Sequence, residues 1–406
     1  MMRNNKQIFF FPIWGESYIN NFINICIPCF IESLTLFDNI VSKNFTIQIW
    51  TKIEGIKIFE NSPNIIKLKK KINITYIIIP NKVFKLYFLN KYDFLNLLQA
   101  LAITANSLKF NYIWFIYPDF IFNKTSLKNI YLKTQKDFEA IYIPVPQAIE
   151  EPLKEIIKYR GVLYIAQNLK KILEEYIHPI VKICAYDNLK TKTPSLFFSH
   201  KKNEYMMFRY YHMHPICLKL DLNNYELFKN FNTTLDGGFL KNLKKIYVAK
   251  NDKFAICISL LKLKSIKLPE IKDLRVRNVT NILLEWCKEN INSLHIKISK
   301  FEYLIKYKNF NFKKYIISKK KLENLVKNLN NKINKRNQIK KDDTFTFEMS
   351  SNPLVKYNQS LFYKFYINNL LKLNDSKCSI LKKFLQESEN DNNKKFISNI
   401  YNEVIK

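Results

Sequence analysis

The sequence predicts an α/β protein, a doubly wound and mostly parallel sheet joined to a smaller, mainly helical and basic region. Three observations carry that expectation. Over residues 1–145, strand-length apolar runs alternate with stretches of helical period, the order expected of βαβ units. The run YIWFIY at residues 112–117 is too short and too rich in β-formers for a helix, and it stops at Pro118, which has no N–H to give to a ladder. Asp119 follows, the first charge after Lys109, at the carboxyl edge where open α/β sheets bind their ligands. With 406 residues, 47% of them hydrophobic, the chain can form one large domain, expected over residues 1–265, and a second region over 266–406.

Taken in order, residues 7–13 read as the first strand and Trp14-Gly15-Glu16-Ser17 as the turn after it. Residues 18–36 carry Tyr18, Phe22, Ile25, Cys26, Cys29 and Phe30 at the spacing of a helix with one buried face. A strand, a glycine turn and a helix make the first half of a nucleotide-binding unit, in which helix amides and turn would cradle a uracil, ribose or phosphate. The dinucleotide fingerprint G-x-G-x-x-G is absent. Glu16 is either a contact to that ligand or an ordinary first-turn acid. Residues 45–50 alternate as a second strand, and 72–79 form a third, stopped by Pro80. A helix is expected over 92–108, with Leu95, Leu98, Ala102 and Ala105 on one face and Asp93 near its start. It leads into the Tyr112 strand; Ser126 and Leu127 open the next helix, and residues 138–144 the next strand.

The formal charge of +32 invites a nucleic-acid partner. The residue types argue against it, because lysine supplies nearly all of the charge and the arginines are Arg3, Arg160, Arg209, Arg275, Arg277 and Arg336. Base and bidentate phosphate readout favour arginine. Seven cysteines are scattered among apolar neighbours; Cys26 and Cys29 form a C-x-x-C without a second pair to complete a zinc site, so all read as reduced core residues. No apolar run approaches the roughly 20 residues of a membrane span, and the first residues show no cleavable signal pattern, so the expected location is cytoplasmic. The five glycines, Gly15, Gly55, Gly161, Gly237 and Gly238, are so few that each is expected where φ is positive or backbone passes close to something.

Two later segments bear chemistry. In YHMHPIC, period-2 alternation puts His212 and His214 on one face of a strand or extended turn, and Pro215 fixes the backbone of His214 in an extended form. The alternative is a packed histidine capping the bend. In TTLDGGF, Asp236 precedes Gly237 and Gly238, a pair that lets backbone approach a substrate closely. The adjacent carboxylate would bind an acceptor hydroxyl or take its proton, unless it is simply an Asp-Gly turn. Asp119 has the same bland alternative, a strand-end carboxylate capping a turn.

The blocks PIWGESYINNFINICIPCFIESL, YIWFIYPDFIFNKTSLKNI, FRYYHMHPICLKLD and TLDGGFL, in that order over about residues 7–260, resemble a family of bacterial glycosyltransferase-like proteins with W-G-x-x-Y, P-D, H-x-H-P and L-D-G-x-F blocks. That family is similar to the GT-A superfamily. The resemblance implies a GT-A-like sheet and transfer of a sugar from a nucleoside diphosphate sugar to a hydroxyl of a surface glycan or glycolipid. Tyr117-Pro118-Asp119 looks like the superfamily's Asp-x-Asp with its first carboxylate replaced. By that likeness Asp119 and His214 would hold a divalent metal, manganese or magnesium. Trp14, Gly15, Glu16 and Tyr117 would contact the nucleotide, Asp236 would serve catalysis, and His212, Gly237 and Gly238 the substrate.

From residue 268 the character changes. Leu283, Leu284, Trp286 and Cys287 suggest a packed helix, and residues 319–335 another, with Leu322, Leu325, Val326, Leu329 and Ile333 on one face. Between them, residues 301–315 interleave aromatics with lysines, read as a half-buried strand pair or, alternatively, as a surface for an anionic membrane or single-stranded nucleic acid. Two further readings of the whole chain stay open, a non-catalytic nucleic-acid-binding protein using the basic carboxyl-terminal third and a pseudo-transferase. Peripheral contact with the inner face of the membrane is a further expectation.

Overall fold

The computed structural model describes residues 5–36, 43–79, 105–107, 109–187, 189–191, 195–220, 243–265 and 293–339, with single positions at 95, 98, 99, 102, 103, 240 and 291. In chain order the strands are β1 (Gln7–Pro12), β2 (Phe45–Thr51), β3 (Asn73–Ile78), β4 (Tyr112–Phe115), β5 (Phe120–Phe122), β6 (Ala140–Tyr142), β7 (Gln147–Ile149), β8 (Leu196–Lys201), β9 (Tyr205–Tyr210), β10 (Pro215–Lys219), β11 (Ile246–Val248), β12 (Cys257–Leu261) and β13 (Tyr303–Lys306). Seven of them form the central sheet in the order β11-β6-β10-β4-β1-β2-β3. β1 runs parallel to β2 and β4, β2 to β3, and β6 to β11. β10 alone runs against its neighbours β4 and β6. The architecture is thus α/β with a mostly parallel sheet.

β1 is buried at every position, because both faces of the sheet are covered and a run of apolar residues suits that environment. On one face Phe9 and Phe11 meet Phe30 and Phe22 of the first helical stretch at ring distances of 4.9 Å. On the other, Phe10 lies beside Gln48 in register, and the Gln48 amide exchanges hydrogen bonds of 3.0 and 3.2 Å with Asn106. Leu98, Ala102 and Ile103 are helical and buried on the same stretch, as the spacing predicts. A buried polar chain locks β4 to β1: Trp114 Nε1 donates to Gln7 Oε1 at 2.7 Å, and Gln7 Nε2 donates to Thr134 Oγ1 at 2.8 Å. Gln7, Trp114 and Thr134 thereby satisfy one another, which offsets the cost of removing them from water.

The helix after β1 is helical from Glu16 to Leu34 but not α-helical throughout. A π-helical turn, Phe22–Cys26, separates Glu16–Asn21 from Ile27–Leu34. Pro28 has no N–H to return to the preceding turn, and the widened turn lies directly before it.

A second sheet, β5-β12-β7, sits beside the carboxyl end of β4, and a third, β13-β9-β8, carries the later part of the chain. β13 pairs with β9, and the long helix Phe312–Ile339 buries Tyr315, Leu322, Val326, Leu329 and Ile333 against Phe197, Tyr205, Met207 and Tyr211. The expectation of a strand pair over 301–315 is therefore met only at Tyr303–Lys306; from Phe312 the chain is helical. Tyr315 belongs to the helix stripe, and its aromatic character had suggested a strand. The residues expected to form a helix around Trp286 lie outside the described residues.

Candidate functional site

Parallel β1, β2 and β4 end at one edge, where the turns that follow β1 and β4 lie side by side. Ile13 N–H bonds to the Trp50 carbonyl at 2.9 Å and Ile116 N–H to the Phe10 carbonyl at 3.2 Å, so the three strands stay in register to their last residues. After Ile13 the chain turns on Gly15, whose φ of 84° is in the left-handed region that L side chains avoid. The Gly15 carbonyl then accepts from Tyr18 and Ile19 N–H, starting the helix. Trp14 is half-buried, while Gly15 and Glu16 are exposed at this edge. A helix amino terminus that opens here offers backbone donors to an anion.

On β4 the Tyr117 carbonyl accepts from Phe120 N–H at 3.1 Å, closing a turn around Pro118 and Asp119. The Tyr117 hydroxyl is bonded to Gln99 Nε2, and its ring packs edge-on against Phe120 at 5.1 Å. β12 fixes Asp119 twice. Leu260 N–H donates to the Asp119 carbonyl at 3.1 Å, and the Ser259 hydroxyl donates to Asp119 Oδ2 at 2.8 Å. That bond restricts the rotamer of the carboxylate. Cys26 and Cys257 lie near it; burial, chiefly, and then nearby negative charge, Asp119 included, push both thiols well above their ordinary range. They are neutral and buried, as the sequence reading of reduced core cysteines requires.

β10 enters the sheet from this same edge. Its antiparallel register, Cys217 opposite Trp114 and Lys219 opposite Tyr112, puts the residues before Pro215 alongside the end of β4. His214 is exposed there. His212 differs: its ring packs on His295 with centroids 4.3 Å apart, and its backbone N–H donates to the Ser195 carbonyl at 3.1 Å. The two histidines therefore do not share one environment. Asp236, Gly237 and Gly238 lie outside the described residues.

The sequence reading missed Ser259 and the acids at 150 and 151. β5 runs against β12 and β7 runs with it, with Ser259 opposite both Phe120 and Gln147. Asp119, just before β5, and Glu150, just after β7, consequently emerge at the same edge of the small sheet. Glu150 is buried and ion-paired with Lys154, while both carboxylate oxygens of Glu151 accept from Leu263 N–H at 3.1 Å. Nothing local marks Ser259, since its partner lies 140 residues away. The Glu-Glu-Pro opening of a helix was visible but indistinguishable from ordinary first-turn acids.

Among the described residues no group of three or more His, Cys, Asp or Glu side chains could hold a metal ion. Asp119 and His214 share an edge without a third partner among those residues, so the described residues alone do not make a metal centre.

The sheet order and the turns at this edge define a doubly wound α/β protein with a mostly parallel central sheet. No protein-family model matches the chain, and no curated sequence matches it. Among solved structures it is similar to TarS of S. aureus, at 14% identity and a TM-score of 0.34 over 70% of this chain and 43% of that one. A shorter form, S. aureus TarS 1-349, is matched over 98% of this chain and 90% of that one at 9% identity and a TM-score of 0.34. Mouse xyloside xylosyltransferase 1 is matched over 41% of this chain and 58% of that one, at 11% identity and a TM-score of 0.23. The chain thus spans less than half the length of the first of these. At such identities and scores the likeness carries neither an activity nor a substrate to this chain.

Proposed function

We propose that the protein is a glycosyltransferase that moves a sugar from a nucleoside diphosphate sugar to a hydroxyl of a surface glycan or glycolipid, working in the cytoplasm or at the inner face of the membrane. The observation that supports it is the meeting, at one edge of the sheet, of the Gly15 turn with its helix amino terminus and of Asp119 oriented by Ser259. In this reading Trp14, Gly15, Glu16 and Tyr117 contact the nucleotide. Helix amides and Lys52, which follows β2 at the same edge, face the negative charge that grows on the leaving diphosphate. Asp236 takes the proton of the attacking hydroxyl or anchors the acceptor, with Gly237, Gly238 and His212 shaping the acceptor side. Manganese or magnesium arriving with the nucleotide would be held by Asp119 and His214 and would offset charge on the diphosphate.

The test is a melting-temperature screen of UDP, GDP, CDP and dTDP, each with and without manganese. One nucleoside diphosphate is expected to stabilise the protein saturably. Stabilisation by none of them would sink the reading, and binding without sugar transfer would make the protein a pseudo-transferase.

A further inference from the structure

The start of the helix Phe312–Ile339 and the loop before it hold charge and apolar surface that the proposed site at the strand ends does not use. Between Glu302 and Glu323 the chain has no acidic residue and seven lysines, at 306, 308, 313, 314, 319, 320 and 321. Two of these are engaged within the fold, Lys314 with Glu204 at 2.7 Å and Lys319 near Glu302 at 3.8 Å. Lys306, Lys308, Lys313, Lys320 and Lys321 are exposed. Among them stand two of the larger exposed apolar side chains, Phe312 at 64% and Ile317 at 56% exposure. Together they leave apolar area in water that a partner could cover.

We infer that this helix start is a docking surface for an anionic lipid bilayer, with Phe312 and Ile317 entering the headgroup boundary and the lysines facing acidic headgroups. The inference deepens the proposed location at the inner face of the membrane, and vesicle binding can be read whether or not the protein transfers a sugar. Charge complementarity selects an anionic partner, and the shape of the apolar part selects lipid over single-stranded nucleic acid. A stacking platform needs several exposed ring faces. Here Tyr303 and Tyr315 are buried, their hydroxyls bonded to the Ala255 carbonyl at 2.7 Å and to Glu302 at 2.6 Å, and Phe310 lies under the Lys306 ammonium. What remains exposed along this stretch is one ring and one aliphatic side chain set among lysines, mixed apolar and cationic surface that a headgroup layer can take up.

The test is sedimentation of the full chain with phosphatidylcholine vesicles that contain or lack phosphatidylglycerol. Binding is expected only with phosphatidylglycerol. The double variant Phe312→Ser/Ile317→Ser should lose about tenfold or more in vesicle affinity with an unchanged melting temperature, since both side chains are exposed. The triple variant Lys313→Gln/Lys320→Gln/Lys321→Gln should lose about fivefold for each lysine removed. Failure of the wild-type chain to bind phosphatidylglycerol vesicles would overturn the inference. So would wild-type affinity in both variants, which would assign the binding to other charges of the chain, or loss of oligothymidylate binding rather than vesicle binding in the double variant.

Discussion

Asp119 is held by a serine from a different strand, and this makes its charge separable from its shape. In Asp119→Asn the side chain keeps an acceptor for the Ser259 hydroxyl, so the unliganded melting temperature should stay near wild type while nucleotide-dependent stabilisation disappears. Unchanged nucleotide affinity in that variant would remove Asp119 from the site. Asp236→Asn separates the two halves of the proposal in the other direction. Nucleotide affinity should persist and the transfer rate should fall by roughly two to four powers of ten, measured on one preparation. His178 supplies a pH prediction of a different kind. It is buried, and burial, partly opposed by the Lys262 backbone and by Glu151, holds its pKa below the ordinary 6.5. Its Nδ1 accepts the Ile180 N–H at 3.1 Å as the cap of the helix Pro179–Lys182, a bond that needs the neutral ring. The unfolded chain therefore binds a proton first as pH drops below 6.5, and the folded state loses stability from there down through the lowered folded pKa. His178→Asn keeps a cap acceptor without a titrating ring and should flatten that part of a melting-temperature profile between about pH 7 and 5.

At the scale of elements, the long helix Phe312–Ile339 is pinned by one buried arginine. Arg209 on β9 donates to the Lys300 carbonyl at 3.1 Å and to Glu323 at 2.8 Å, with Glu302 at 3.7 Å. Arg209→Met should cost about 2–3 kcal/mol of stability in denaturant unfolding, discounted for the partial exposure of Glu323. A loss within error of zero would show that the helix is held by its apolar stripe alone. How far such elements were legible follows from their physics. β1 and β4 declare themselves as short apolar runs, because a strand covered on both faces has no reason to alternate. The glycines were informative because they are scarce: Gly15 and Gly161 have positive φ, and a Cβ on Gly55 would stand 2.5 Å from Thr51 Oγ1. The Ser259–Asp119 bond and the Arg209 cluster were hidden, since each joins residues 90 or more positions apart and no local pattern encodes such a pairing. Residues 301–315 misled for the opposite reason. Their aromatics are common in strands, yet the heptad-like recurrence from Tyr315 through Leu322, Val326, Leu329 and Ile333 decides the helix.

For the whole molecule, a net charge of +32 on 406 residues implies self-repulsion that the folded state concentrates. Melting temperature should rise with salt, as ionic strength from about 0.01 M to about 1 M shortens the Debye length from about 30 Å to about 3 Å. A flat or falling dependence would mean that local ion pairs outweigh the net charge. The reversed strand β10 has a consequence for how the protein is made. β6 is flanked in the sheet by β10 and β11, both of which follow it in the chain. On the ribosome, the stretch from Tyr142 to Lys219 takes about 4 to 15 s at about 5–20 residues per second. Throughout that interval β6 has no sheet partner and one edge of β4 stays open, both of them apolar strands of the kind that pair with neighbouring nascent chains. A chain halted at residue 195 should pellet as aggregate when expressed, whereas a halted chain of the same length that stayed soluble would mean that residues 112–142 wait in some other, protected arrangement until β10 arrives.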